Sequence, residues 1–226
     1  MIARVTCLTL ALLCVAAPVR AQIIRVPRSA EPRVWTSLGA SFYQMDGIVD
    51  GSSDSVWDLE VNSGIQYRGA IEWGIRNQTS LGVTGTYVSL PFRYYARSAE
   101  TPPETSCDGC GADVNISSLV LSLHVGGGPG LHQVIEAQAG VTRFADFRAD
   151  DGRELAPLDG DSDASLAVGY GIGYSFSNRL QVTVVQDFGV LFHQRTGLSS
   201  GEGSTIQQRV TRLGLRYGLF RQRPGV

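Results

Sequence analysis

Apolar and polar side chains alternate one for one along several stretches of this chain, and clusters of turn-forming residues separate the stretches. The purest alternation covers residues 57–67. Trp57, Leu59, Val61, Ile65 and Tyr67 fall on one face, with Asp58, Glu60, Asn62, Gln66 and Arg68 on the other. Period two is the signature of a strand with one apolar and one polar face. Ser63 and Gly64 are the only neutral step. Ten steps at about 3.3 Å, tilted by about 40°, rise about 25 Å, the height of the apolar band of a membrane-spanning barrel. Trp57 and Tyr67 stand at the two ends of that span, where interfacial rings belong.

Seven further segments carry the same signal: residues 34–44, 79–95, 114–125, 134–144, 165–176, 179–193 and 206–220. In 165–176 the residues Leu166, Val168, Tyr170, Ile172, Tyr174 and Phe176 share a face, and the opposite face is bare Gly, Ala and Ser. A soluble barrel fills its interior with bulky apolar groups, so a bare second face favours an inside-out one. In 79–95 the apolar set changes parity, from Leu81, Val83 and Tyr87 to Val88, Leu90 and Phe92, and Pro91 marks an expected bulge there.

Connections alternate in length. Residues 75–78, 126–132 and 177–178 are tight turns; 45–55, 97–113, 148–163 and 196–205 are longer, polar and rich in Gly and acidic groups. The pattern predicts an all-β protein, an antiparallel up-and-down transmembrane β-barrel of eight strands. An even strand number puts both termini on one side, the periplasmic one. The acidic long loops read as solvated surface or as holders of divalent cations.

If the apolar faces meet lipid, the polar faces pack inside. Glu60, Arg68, Glu136, Asp187, Arg209 and Arg216 are then lumen residues. Buried charges are tolerable only when paired, which predicts an Arg–carboxylate network plugging the barrel. Trp57, Tyr67, Tyr174 and Tyr217 form the expected aromatic girdle.

The N-terminus carries an export signal. Arg4 precedes an apolar run at residues 8–17, and Val19-Arg20-Ala21 offers a cleavage site. Residues 1–21 are read as a signal peptide, 22–33 as a periplasmic lead-in, 34–220 as the barrel and 221–226 as a periplasmic tail. No later apolar run is long enough to cross about 30 Å as a helix. A mean hydropathy of +0.01 fits a barrel, whose alternation hides its membrane signal. A net charge of −2 gives no basic face for nucleic acid.

Removing the leader leaves Cys107 and Cys110, most simply a disulfide in an exported chain. A zinc site on those cysteines would need further Cys or His ligands nearby, and the sequence has none there. Asp159-Gly160-Asp161-Ser162-Asp163 begins like a calcium loop but lacks the following Gly and the distal Glu, so only a loose surface cation site remains open. The glycine-rich residues 126–130 precede no Lys-Ser/Thr, which leaves a turn rather than a phosphate loop. No metal, cofactor or catalytic residue is expected.

The strand pattern resembles the small OmpA/OmpX-type outer-membrane β-barrel family. Its most specific segment is Leu213-Gly214-Leu215-Arg216-Tyr217-Gly218-Leu219-Phe220, an alternating final strand closing on an aromatic. The resemblance implies that Phe220 is an assembly signal read by the barrel-assembly machinery. It also implies outer-membrane lipid and lipopolysaccharide as surroundings. Some similar barrels modify lipid A, but His124 and His193 lack the adjacent His-x-Ser that such a deacylase would have, and His132 sits in a turn. The reading is a monomeric structural or surface-interaction barrel. A soluble lipocalin-like barrel binding an apolar ligand is the rival, and a barrel-embedded lipid-modifying enzyme the third possibility.

Overall fold

A computed structural model describes residues 32–60, 62–76, 78–97 and 104–221, and every helix or strand assigned among them is a β-strand. The expected leader, residues 22–31 of the lead-in, Val61 and residues 222–226 of the tail lie outside the described residues. The strands are β1 (Pro32–Met45), β2 (Ile48–Asp50), β3 (Ser55–Asp58), β4 (Gly64–Arg76), β5 (Thr79–Ala96), β6 (Asp108–Gly126), β7 (Gly130–Ala149), β8 (Asp161–Ser175), β9 (Leu180–Phe192) and β10 (Thr205–Arg221). Eight of them close a ring in chain order, β1-β4-β5-β6-β7-β8-β9-β10 and back to β1, each pair antiparallel. Closure satisfies every wall strand on both sides and leaves no edge across the middle of the barrel.

Short turns lie at one end of the barrel, between β4 and β5, β6 and β7, and β8 and β9. Long connections lie at the other. The first of these holds the hairpin of β2 and β3, whose second strand pairs with the far end of β5.

The barrel has two halves of opposite polarity. Toward the turn end the outer face is apolar: Leu38 is 70% exposed and Val168 62%. Ile65, Tyr67, Ile71, Trp73 and Ile75 cover ten steps of β4 on that outer face, about 25 Å when tilted. Toward the long-loop end the polarity reverses. Tyr43, Val88, Leu90, Phe92, Ile116 and Phe144 turn inward into one packed core inside the mouth. The outer wall is thus apolar in its lower half and polar in most of its upper half.

That reversal corrects two expectations. The alternation at residues 57–67 is not one strand. It divides into the end of β3, a turn closed by Asn62 N–H donating to the Leu59 carbonyl, and the start of β4. From Asp58 to Tyr67 the chain takes nine steps while β5 takes six, from Arg93 to Tyr87. Three extra residues, an odd number, flip the face. Trp57 and Leu59 therefore point into the mouth core, both fully buried, while Ile65 and Tyr67 point out. Trp57 is no girdle residue. Glu60, on the turn, is exposed rather than in the lumen.

Pro91 marks no bulge either. It pairs with Asp113 in unbroken register, and even-numbered residues of β5 face inward from Ser80 to Tyr94. The apolar residues change face there because the interior changes, from the polar lower lumen to the apolar core of the mouth. Register breaks lie nearby instead: between Tyr94 and Tyr95, opposite Gly109 of β6 with φ 75°, and on β7, where Asp146 adopts φ 55° and the inward positions pass from Phe144 to Phe147.

Candidate functional site

Strand alternation aims a set of charged side chains into the lower lumen. Arg68 and Glu72 come from β4, His124 from β6, Glu136 from β7, Asp187 from β9, and Arg212 and Arg216 from β10. All but the partly buried Arg68 are fully buried. Arg212 lies between two carboxylates, 2.5 Å from Glu136 Oε2 and 2.7 Å from Asp187 Oδ2. Arg68 reaches the same Glu136 oxygen at 3.1 Å, and His124 Nδ1 meets the other at 2.9 Å.

A second group adjoins it. Arg216 donates from Nη2 and Nε to Glu72 Oε2 at 2.7 and 3.1 Å, and from Nη1 to Gln181. Its guanidinium carbon stacks 4.1 Å from the Trp35 ring centre. Three guanidinium groups thus face three carboxylates, a balance that makes burial tolerable. Gly169 makes room for this: a Cβ there would lie 2.1 Å from Asp187 Oδ1. The internal cavities beside the network measure about 40 and 20 Å³, room for a few water molecules.

Of the lumen residues expected from the sequence, the structure brings together Arg68, Glu136, Asp187 and Arg216. Glu60 and Arg209 stand apart, both exposed. Arg209 shares the outer face of β10 with Leu213 and Leu215, on a polar stretch with Gln207 and Thr211, and pairs across the wall with Phe188 of β9. Glu72 and Arg212 were missed. The signal was present: each lies four residues, two strand repeats, from an identified neighbour (Arg68 and Arg216) and so on the same face.

The remaining expected residues separate cleanly. Tyr67, Tyr174 and Tyr217 are exposed on the outer wall, Tyr67 toward the long-loop end and the other two toward the turn end. Cys107 and Cys110 are joined by a disulfide beside the mouth core. Phe220 lies in β10, paired with Val34 of β1.

Above the apolar band a third polar group is enclosed in the mouth. Asp50 of β2, Asp161 and Asp163 of β8, and His193 just past β9 all face inward. His193 follows the Ala164–Phe192 pair, which sets it beside Asp163. Its Nδ1 lies 3.0 Å from Asp163 Oδ2 and 3.3 Å from Asp161 Oδ2; its Nε2 lies 3.6 Å from Asp50 Oδ1. Trp57 covers the imidazole edge-on, 5.8 Å between ring centres. Burial disfavours the imidazolium, but the contacts with Asp163, Asp50 and Asp161 outweigh it and raise the pKa of His193 to about 9. Burial likewise opposes the charge of Asp50, yet the contact with His193 and the hydrogen bonds from Ser53 and Ser52 hold its carboxyl well below the usual range. Among the described residues, Asp50, Asp161 and His193 form the grouping with ligand atoms spaced as a metal ion requires.

Eight closed antiparallel strands, an apolar outer band and ion pairs within define the small up-and-down barrel of the outer-membrane type. The fold matches Neisserial surface protein A at a TM-score of 0.54 and 10% identity, covering 82% of this chain and 97% of that one. Weaker likenesses include Ail, the attachment invasion locus protein of Yersinia pestis, solved with the heparin analogue sucrose octasulfate, at TM-score 0.41, 14% identity, and 83% and 99% coverage. OprG of Pseudomonas aeruginosa matches at TM-score 0.42, 9% identity, and 84% and 99% coverage. The sequence matches no protein-family model and no curated protein.

Proposed function

We propose that this chain is a structural or surface-interaction protein of a bacterial outer membrane, a monomeric barrel whose lumen is closed to ions. The observation that carries the reading is the reversal of polarity at one level of the wall. Below it, apolar side chains face out and paired charges fill the interior; above it, the mouth is packed with aromatic and aliphatic groups. An aqueous pore needs a continuous wet path; lumen cavities as small as those beside the ion pairs support a closed lumen. A soluble ligand-binding barrel would need an apolar internal chamber, whereas this lower lumen holds ion pairs.

In this reading the leader is removed on export, both termini lie in the periplasm, and the long loops face outward. The loop acids Asp108, Asp113, Asp150, Asp151, Asp159 and Glu154 are interleaved with Arg148 and Arg153, so the outer surface carries both signs. Carboxylates there meet lipopolysaccharide through shared divalent cations, and the final strand is read by the assembly machinery. A non-enzymatic role is favoured because His193 is shut away from any substrate, its side chain only 1% exposed.

Two measurements test this. Expressed in a Gram-negative host, the protein should fractionate with the outer membrane and migrate differently on gels before and after boiling. In planar lipid bilayers it should give no stable conductance. A sustained large-pore current overturns the closed lumen, and recovery as a soluble periplasmic protein overturns the membrane reading.

A further inference from the structure

We propose that Asp50, Asp161 and His193 are the ligands of a divalent transition-metal ion of the zinc class, with Asp163 orienting the imidazole from its other nitrogen.

The three ligands come from elements far apart in sequence, the β2–β3 hairpin, the start of β8 and the end of β9, and each faces inward. One donor atom from each lies within 4.8 Å of the other two. A second observation points the same way. His193 Nε2 is buried and has no hydrogen-bond partner, although the residue is more than nine-tenths enclosed; Asp161 Oδ2, also without a hydrogen bond, has only the ion-pair contact with His193 Nδ1 at 3.3 Å. Native interiors rarely leave such atoms unpaired without a bound ion or water to account for them. His193 Nε2 points toward Asp50, too far at 3.6 Å for a hydrogen bond.

Charge leads to the same conclusion. Three buried carboxylates face one imidazole, and no arginine forms an ion pair with them among the described residues. The other donors to the acids are neutral: the hydroxyls and amides of Ser52 and Ser53, the Ser162 amide and the Gln194 side chain. A divalent cation supplies the missing positive charge. The donor set selects its class, since imidazole nitrogen with carboxylate oxygen suits zinc and its neighbours, whereas calcium and magnesium take oxygen alone. Asp163 is placed as metal-site carboxylates are, accepting from Nδ1–H and leaving Nε2 for the ion.

Such an ion would tie the hairpin to the wall. Gly51, next to Asp50, already lies so close to the β9–β10 connection that a Cβ there would be 2.3 Å from the Gly197 carbonyl carbon. The site is a clasp of the mouth, not a reaction centre.

The test is titration of the folded, chelator-treated barrel in detergent micelles with Zn²⁺, and separately with Ca²⁺, by calorimetry. One equivalent of Zn²⁺ should bind, with Ca²⁺ binding at least 100-fold more weakly. His193→Gln and Asp50→Asn should abolish binding, Asp163→Asn should weaken it about 10–100-fold, and His132→Gln should leave it unchanged. Nitrogen NMR of the wild-type histidines needs no variant: Zn²⁺ should move the Nε2 resonance of His193 and leave those of His124 and His132 in place. Absence of Zn²⁺ binding, binding that survives His193→Gln, equal affinity for Ca²⁺, or an unmoved His193 resonance overturns the proposal.

Discussion

Arg212 is the residue on which the lower lumen turns. It is the cation shared by Glu136 and Asp187, and removing it would leave two buried carboxylates with less charge than they need. Breaking a buried pair from one side costs about 3–5 kcal/mol. Arg212→Met should therefore lower unfolding stability by about that amount, measured by urea denaturation in lipid vesicles. Arg209→Met, three residues away but exposed on the outer face, should change it by less than about 0.5 kcal/mol. Equal losses from both variants would contradict the assignment. Alternation in the sequence marked Arg68, Glu136, Asp187 and Arg216 as polar-face residues, because a strand's period is fixed by its backbone. It could not mark Asp50 and His193 as neighbours. Those two sit on a hairpin and at a strand end, 143 positions apart, and only barrel closure joins them.

At the level of elements, the informative failure is residues 57–67. Their alternation is real, but period two shows that two faces exist without saying which lies inside, and it survives an odd-numbered insertion unnoticed. Asn62-Ser63-Gly64 was the available signal of a break. The strands from 114 onward were legible because each keeps one environment for most of its length, whereas the β3–β4 segment crosses the level where lipid-like surroundings give way to water. The consequence is measurable. Trp57 packs against Phe144 and Phe147 with ring centres 5.7 and 4.5 Å away, so Trp57→Ala should cost about 3–5 kcal/mol through the cavity it leaves. It should also expose the hairpin to proteolysis while leaving the barrel's heat-modifiable migration intact. Tyr67→Ala, on the outer wall, removes no core contact and should leave the hairpin resistant. Matching protease sensitivity in the two variants would contradict the inward placement of Trp57.

For the molecule as a whole, one wall carries two polarities: outward apolar groups near the turns, outward polar groups near the long loops. The eight-stranded closure, the loop asymmetry and the outward set on β8 were all readable from spacing. The apolar core in the mouth was not, because Val88, Leu90 and Phe92 look like any apolar strand until the level at which they sit is known. The most direct measurement places single nitroxide labels on the barrel in lipid vesicles, with Cys107 and Cys110 replaced by Ser. Labels at Leu38, Val168 and Phe188 should collide readily with oxygen, which concentrates in hydrocarbon, and scarcely with a polar nickel complex; labels at Ser89 and Arg93 should show the opposite preference. If Val168 and Phe188 prove accessible to the nickel complex and poor in oxygen, the lower wall faces water and the account is wrong.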